Sequence, residues 1–318
     1  MSQTYTDISH NDAACLLSKN FPAVTSSRDQ VCNRNIFDLY VAIMLTRNTE
    51  SMRTILDNNP DLDLRTRVGG ATVLSLALYA NDMRHFSLIL SRGGARLDVN
   101  QLSVDGERRV EPPLVTSCRL CNVTAVQHLL TSNRVDLEKC DNFRHNALWW
   151  SVRQRHLPLV KLLVSRGASV NPSPLYSSAP LHLTVTQSRR RTLIAKHLLL
   201  HGASTSATKS GQSMFLTVLQ QRNTELALCL FEVGCSVRSD EEYQECRKIC
   251  LSEDDEALNT LLQLVSNPCS LKQQCRRQVR RTVALACRGV HFIEALQRLP
   301  LPKLLLDYIS LGVLPFKP

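Results

Sequence analysis

The sequence predicts an all-α protein in which an array of helix hairpins precedes a separate three-helix segment at the C-terminus. Equivalent apolar positions recur about every 33 residues in the body of the chain: Leu114, Leu148, Leu181 and Phe215 are separated by 34, 33 and 34 residues. From residue 270 the period gives way to an amphipathic helix, a proline-rich corner and a last helix. With 318 residues, 43% of them hydrophobic, the chain can bury a substantial core.

The repeated unit has a recognisable start and end. Residues 179–183 read APLHL, and residues 201–203 read HGA. A period near 33 with such a start and a Gly-Ala-like end resembles the ankyrin repeat, whose hairpins bury their apolar faces only by stacking on neighbours. Nineteen residues after each marker we expect a residue in the left-handed conformation at the end of the second helix. The residues found at this position are Gly93, Gly167, Gly234 and, in the Leu114 unit, Asn133.

Two units depart from the regular period. Leu74 precedes Leu114 by 40 residues, so the polar segment 98–109 is predicted to be a lengthened loop. In the Leu181 unit the glycine comes two residues late, at Gly202, which places the triplet 189–191 (Arg-Arg-Arg) in a turn between helices.

Repeat signals weaken toward both ends of the chain. An earlier unit occupies about 35–63, and a degenerate helix pair follows Gly234, which makes six repeats and a divergent seventh. We predict an N-terminal cap or disordered segment at 1–30, an ankyrin repeat domain at 31–266 and a C-terminal box at 267–318.

The C-terminal helix has one apolar edge and one basic face. On a helical wheel Leu271, Cys275 and Val279 form a narrow stripe, which Thr282 and Ala286 extend. The opposite side carries the following arginines: Arg276, Arg277, Arg280 and Arg281. Residues 299–302 read LPLP, and two prolines this close predict an extended corner with both leucines presented outward.

The spacing Leu-x3-Cys-x3-Val, followed about twenty residues later by Leu-Pro-Leu-Pro, resembles a SOCS box. In that family the first helix inserts into a pocket on elongin-C, and Leu-Pro-Leu-Pro selects cullin-5. The resemblance assigns elongin-C binding to Leu271, Cys275 and Val279. It assigns cullin-5 binding to Leu299, Pro300, Leu301 and Pro302. The basic face is then expected to meet solvent or acidic side chains of the ligase subunits. The alternative is a helical cap with a proline turn.

Repeats leading into such a box resemble the ankyrin-repeat-and-SOCS-box family over nearly the whole chain. The resemblance implies the substrate-recognition subunit of an elongin-B/C–cullin-5–RING ubiquitin ligase, which promotes ubiquitination and proteasomal degradation of a target. Such a chain is not an enzyme, since it contributes only proximity between target and conjugating enzyme. The alternative is an ankyrin scaffold that binds partners, or sequesters elongins, without ubiquitination.

Hairpin tips and the exposed ends of first helices usually bind the targets of ankyrin arrays. The predicted tip residues are Phe143, His145, Leu175, Tyr176, Lys209 and Gln212. The predicted first-helix ends are Arg153, Gln154 and Gln187. Phe143 and Tyr176 are the most informative because aromatic side chains often form binding hot spots. Ordinary loop variation is the alternative.

The net charge of +10 lies largely in two clusters, at 189–191 and 272–281. The triplet at 189–191 suits acidic or phosphorylated partners or is a solvated turn, and the solvated turn is favoured. Nucleic acid is disfavoured as a partner because no aromatic residues interleave with these charges.

Other functional classes find little support in the sequence. Cys118 and Cys121 have the spacing of a zinc pair but no matching second pair, so packing is favoured over metal. No catalytic constellation, cofactor motif or membrane-spanning run is found, and no cofactor, metal or membrane partner is expected. Twelve cysteines without a secretory pattern predict reduced thiols in the cytoplasm, and also in the nucleus.

Overall fold

The computed structural model describes residues 34–43, 48–67, 70–104, 108–132, 134–171, 179–186, 188–205, 212–235, 237, 239–251, 256–267 and 270–311. The chain divides into two compact units, Met1–Ala147 and Leu148–Pro318. Helices dominate both units, which confirms the all-α prediction. None of the helices within the described ranges is long and apolar enough to cross a membrane.

The first unit is built from paired helices. They are α1 (Arg34–Val41), α2 (Thr49–Asn58), α3 (Val73–Tyr79), α4 (Met83–Gly93), α5 (Pro113–Arg119) and α6 (Val123–Leu130). Asn48, Asp82 and Asn122 start the second helix of each pair, because their side chains accept hydrogen bonds from backbone N–H groups of the first turn. First helices pack on first helices and second helices on second helices, so each pair covers the apolar face of the next.

The lengthened loop of the first unit carries a short β-hairpin. Strand β1 (Ser103–Val104) pairs antiparallel with β2 (Val110–Glu111), with Ser103 opposite Glu111. Glu111 is fully buried and accepts a 3.0 Å hydrogen bond from the Arg119 guanidinium. This buried ion pair, together with a 2.6 Å hydrogen bond between the Ser75 and Ser103 hydroxyls, fastens the hairpin to the helices beneath it.

The second unit continues the pairs. Its elements are α7 (Ala147–Arg153), α8 (Leu157–Ser165), a 3-10 helix (Pro180–Thr184), α9 (Arg189–Leu200), α10 (Met214–Gln220), α11 (Thr224–Val233), α12 (Asp240–Leu251) and α13 (Glu256–Ser266). The predicted repeat markers Leu148, Leu181 and Phe215 are all buried here.

The arginine triplet forms the first turn of α9, so its predicted place in an inter-helix turn is wrong. Helix α9 has 12 residues, whereas α8 has 9 and α11 has 10. The two inserted residues therefore lengthen the second helix at its N-terminus. Arginine is a good helix former, and Ser188 supplies extended backbone immediately before the triplet.

The glycines that end the second helices behave as predicted in the second unit. Gly167, Gly202 and Gly234 have φ of 91°, 80° and 109°, the left-handed region. The prediction for Gly93 is wrong, because Gly93 is the last residue of α4 and Gly94 takes the positive φ. Asn133 lies outside the described residues.

The C-terminal box contains α14 (Leu271–Cys287), α15 (Phe292–Gln297) and α16 (Lys303–Ile309), the three helices predicted. A capping box between Ser270 and Gln273 starts α14. The side chains of Phe292, Leu296 and Ile309 form a small buried core between the three helices. The boundaries 1–30, 31–266 and 267–318 remain predictions.

Candidate functional site

The basic face of α14 lies against the repeats of the second unit. Arg280 is only 3% exposed. Its guanidinium donates hydrogen bonds to the carbonyls of Leu199 (2.7 Å), Leu200 (3.2 Å) and Ile309 (3.0 Å). It also lies 4.8 Å from the centre of the Phe292 ring. One side chain thus joins the end of repeat helix α9, the end of α16 and the core of the box.

Two neighbouring arginines join α14 to the end of α11 in the same way, by hydrogen bonds to backbone carbonyls. Arg276, also buried, donates to the Glu232 carbonyl at 3.2 Å and to the Glu232 carboxylate. Arg277 donates to the Phe231 carbonyl at 2.6 Å and lies 4.8 Å above the Phe231 ring. The last carbonyls of a helix have no partner within it and carry the negative end of its dipole, so guanidinium groups are favourable there. Arg276, Arg277 and Arg280 are called the arginine anchor below.

The expectation that this face meets solvent or ligase subunits is therefore wrong for the arginine anchor. Arg281, one residue beyond it, is exposed. Burial, and then the charge of Arg276, lower the pKa of Arg280 to about 9, so the guanidinium remains charged at neutral pH.

Glycines at the repeat ends allow this close approach. A Cβ atom on Gly202 would lie 2.7 Å from the Phe292 ring, and one on Gly234 would lie 2.9 Å from Arg277. A Cβ on Gly167 would lie 2.7 Å from the His291 ring. The box therefore docks on the ends of three successive second helices, α8, α9 and α11, and these glycines serve both the turn and the contact.

Two histidines lie beside the anchored end of α9. The rings of His197 and His201 are 4.3 Å apart. Burial, then the charges of His201 and Lys161, lower the pKa of His197 to about 4. Burial also lowers the pKa of His201. Both imidazoles are thus neutral at pH 7, next to the cationic Arg280.

Docking of the basic face leaves the opposite edge of α14 uncovered. Leu271 is 75% exposed and Cys275 is also exposed, and their role in elongin-C binding remains a prediction. Leu285, which the sequence reasoning missed, lies within about 40° of Leu271 on the helical wheel and is 71% exposed. Leu271, Cys275 and Leu285 are called the apolar edge below. Val279 differs from them, since it is half-buried and packs against the core of the box.

The Leu-Pro-Leu-Pro corner is oriented opposite to the prediction. Leu299 and Leu301 are half-buried and pack against the Phe292 cluster, whereas Pro300 and Pro302 are exposed. Three buried side chains are too few to form the core of so small a domain, and the two leucines complete it. Beyond the corner, Leu304 is 84% exposed. Leu304 is the second residue of a helix that follows a proline-rich turn, and this position could have predicted its exposure from the sequence.

One predicted target-binding tip lies in the first unit. Phe143 is 56% exposed and its ring stacks on His145, with centroids 6.2 Å apart. The Asp141 carboxylate accepts hydrogen bonds from the backbone N–H groups of Phe143 (2.9 Å) and His145 (2.8 Å). The tip is therefore held in one shape with an aromatic side chain on the outside, as a hot spot requires.

The remaining predicted target-binding residues lie in the second unit. Arg153 and Gln154 are exposed at the end of α7, where the Arg153 guanidinium lies 5.5 Å from the centre of the Trp149 ring. Gln212 is half-buried beside Ser213, the residue that caps α10. The others, Leu175, Tyr176, Gln187 and Lys209, lie outside the described residues.

The cysteine pair of the first unit has the surroundings of packed side chains. Cys118 is buried within α5, and Cys121 lies in the turn that follows, at a φ of 54°. Among the described residues no group of three or more His, Cys, Asp or Glu side chains could hold a metal ion.

Comparison with known proteins identifies the two kinds of module. The SOCS box family model matches residues 267–310, and the ankyrin repeat model matches 144–173. The ankyrin repeat domain of Bcl-3, a member of the IkappaB family, is 19% identical and superposes with a TM-score of 0.56 over 71% of this chain and 97% of that one. The ankyrin repeat protein EF0377 is 23% identical, with a TM-score of 0.53 over 62% of this chain and 98% of that one. At these identities the structural likeness shows the fold alone.

A curated relative matches a shorter segment. Alpha-latroinsectotoxin-Lt1a of Latrodectus tredecimguttatus is 28% identical over 134 residues, which are 42% of this chain and 9% of the toxin. This chain thus spans a small part of that protein's length.

Ankyrin repeats and SOCS boxes are both adaptor-type modules: ankyrin repeats bind proteins, and a SOCS box is a module that recruits elongins and a cullin. The chain has the architecture of the ankyrin-repeat-and-SOCS-box family, as the sequence predicted.

Proposed function

We propose that this chain is the substrate-recognition subunit of an elongin-B/C–cullin-5–RING ubiquitin ligase. The observation that carries the proposal is the apolar edge. Leu271 is three-quarters exposed on a helix whose other face is held by buried arginines. Exposed leucines grouped on one face are typical of a protein-binding surface, and the resemblance names elongin-C as its partner.

The exposed part of the cullin-selecting corner supports the choice of cullin-5. Pro300 and Pro302 face outward while Leu299 and Leu301 anchor the corner in the core of the box. In this arrangement the prolines and Leu304 would contact the cullin, and the leucines would act by holding the corner in shape.

The repeats would hold a target protein while the box holds the ligase. Phe143 and Arg153, each exposed, are the described residues best suited to contact it. Docking of the box by the arginine anchor supports transfer by proximity, because a rigid connection fixes the distance between the repeats of the second unit and the ligase. The complex would act in the cytoplasm and also in the nucleus, and ubiquitination would direct the target to the proteasome.

A scaffold role for the box has an observation in its favour as well. The box covers the ends of three repeat helices and therefore stabilises the repeats, whether or not it recruits a ligase. A stabilising cap alone, however, does not account for the exposed Leu271.

The experiment that tests the proposal is co-expression with elongin-B, elongin-C and cullin-5 followed by size exclusion. Leu271→Ala/Cys275→Ala should lose the elongins, and Pro300→Ser/Pro302→Ser should lose cullin-5 while keeping the elongins. The exposed prolines are the better choice for the second variant, since changing Leu299 would disturb the core. A wild-type chain that binds neither elongins nor cullin-5 would leave the scaffold role.

A further inference from the structure

One long segment, most of it in the second unit, lacks negative charge altogether. Residues 142–224 contain no aspartate or glutamate, although 11 lysines and arginines fall among these 83 residues. Since the whole chain carries 28 acidic residues, such a gap leaves the fourth and fifth repeats uniformly basic.

Four arginines of this segment converge from two neighbouring repeats. Arg155, in the turn after α7, and Arg190, in the first turn of α9, line an open cavity of about 330 Å³. His156, Leu157, Pro158 and Leu193 complete its walls. Arg191 and Arg153 lie within electrostatic reach of this group, because burial, followed by the charges of Arg155 and Arg153, lowers the pKa of Arg191. Arg153, Arg155, Arg190 and Arg191 are called the basic cleft below.

The charge of the basic cleft is not balanced within the described part of the chain. No described carboxylate forms an ion pair with any of its four arginines, and Arg191 donates instead to the Thr186 hydroxyl. Lys196 of the same helix shows the contrast, since its ammonium lies 2.6 Å from the Glu225 carboxylate. The positive end of the α9 dipole adds to the repulsion among these guanidinium groups. An anionic partner would relieve both effects at once.

We infer that the basic cleft binds an aspartate- and glutamate-rich segment of the target protein. The arginines are exposed or half-buried and spread over two repeats, which suits a run of carboxylates better than one enclosed phosphate. Leu157, Pro158 and Leu193 offer apolar contacts for side chains between the acidic ones. The described cavity walls contain no phenylalanine, tyrosine or tryptophan ring on which a nucleic-acid base could stack.

The partner is named a target only because of the proposed function. The binding itself is independent of the ligase, so it is measured on the full chain without elongins or cullin. Its failure is therefore separate from a failure of elongin binding.

The test is fluorescence anisotropy with a labelled peptide of Glu-Glu-Leu repeats at an ionic strength of about 0.15 M. The full-length chain should bind this peptide, and Arg155→Glu/Arg190→Glu should weaken binding about tenfold or more, because two attractive contacts become repulsive. The matched control, Arg84→Glu/Arg247→Glu, makes the same change of charge at exposed arginines elsewhere and should bind within about twofold of wild type. Circular dichroism establishes that both variants are folded.

Three results would overturn the inference. One is equal binding of a Gln-Gln-Leu peptide, which lacks the charge. Another is an equal loss in the control variant, which would reduce the effect to net charge. The last is tighter binding of a single-stranded oligonucleotide, or of a peptide bearing one phosphate, than of the Glu-Glu-Leu peptide, which would assign the cleft to a different ligand.

Discussion

Removal of the Arg280 side chain tests how the box is held on the repeats. Its guanidinium is buried and joins three carbonyls, those of Leu199, Leu200 and Ile309. Arg280→Ala should therefore loosen the box from α9, whereas Arg280→Met, which keeps the packing of the side-chain carbons, should loosen it much less.

The magnitudes follow from two opposing effects. Charge-assisted hydrogen bonds to three carbonyls stabilise the folded state by about 5 kcal/mol. Burial, and then the charge of Arg276, oppose them: a pKa lowered from 12.5 to about 9 corresponds to about 5 kcal/mol against the charged form. Because these nearly cancel, Arg280→Met should cost about 1 kcal/mol. Arg280→Ala adds a cavity beside Phe292 and should cost about 3 kcal/mol in total.

Hydrogen exchange measures this loss of stability at the individual helices. Amides of α14 and of the last turn of α9 should exchange on the order of a hundredfold faster in Arg280→Ala and about fivefold faster in Arg280→Met. The control is Arg281→Ala, which removes an exposed arginine of the same helix and should leave exchange unchanged. Equal exchange rates in Arg280→Ala and Arg281→Ala would refute the anchoring role of Arg280. Equal rates in Arg280→Ala and Arg280→Met would refute the argument that the hydrogen bonds and the burial of the charge nearly cancel.

Two further predictions concern the same junction. Gly202→Ala should lower the free energy of unfolding by about 3 kcal/mol in thermal melts, since φ is +80° and the new Cβ would meet the Phe292 ring at 2.7 Å. Stability should also fall as the pH drops from 6.5 toward 4, by at most about 3 kcal/mol. Over that range the unfolded chain binds a proton at His197 that the folded chain excludes, and melts at pH 7.5 and pH 5 should show the difference.

Each of these predictions has a matched control. Gly94→Ala introduces a side chain at φ +49° with nothing within 4 Å, so it measures backbone strain alone. An equal loss at Gly94 and Gly202 would argue against the contact with Phe292. For the pH dependence, the stability of His197→Gln should change less between pH 7.5 and pH 5. An unchanged dependence of stability on pH would show that His197 is not its cause.

The sequence sufficed for the repeats because their signal is periodic. Buried markers such as Leu181 and Phe215 recur at a fixed spacing, and glycines at positive φ end the helices of the second unit. The error at Gly93 arises from a local detail, since α4 runs one residue further before the chain turns at Gly94. Helix ends vary by a residue within an otherwise constant period.

The orientation of side chains in the box could not be predicted from the sequence. Charged residues usually face water, so the basic side of α14 was expected outside. The acceptors that bury Arg276 and Arg280 are backbone carbonyls of distant repeats, which no local pattern shows. The inward orientation of Leu299 and Leu301 could not be predicted either, because these leucines pack against a core that exists only in the folded box.

The measurement that tests the central claim most directly is a calorimetric titration of purified elongin-B/C into the full chain. Leu271 is 75% exposed, and burial of a leucine contributes about 2 kcal/mol, so Leu271→Asp should weaken binding at least about thirtyfold. The control Leu251→Asp changes a leucine that is 59% exposed on α12 and should bind as wild type does. One-to-one binding that is lost only in Leu271→Asp is the predicted result. Absence of binding by the wild type, or equal binding by Leu271→Asp, would contradict the assignment of this chain as a ligase receptor.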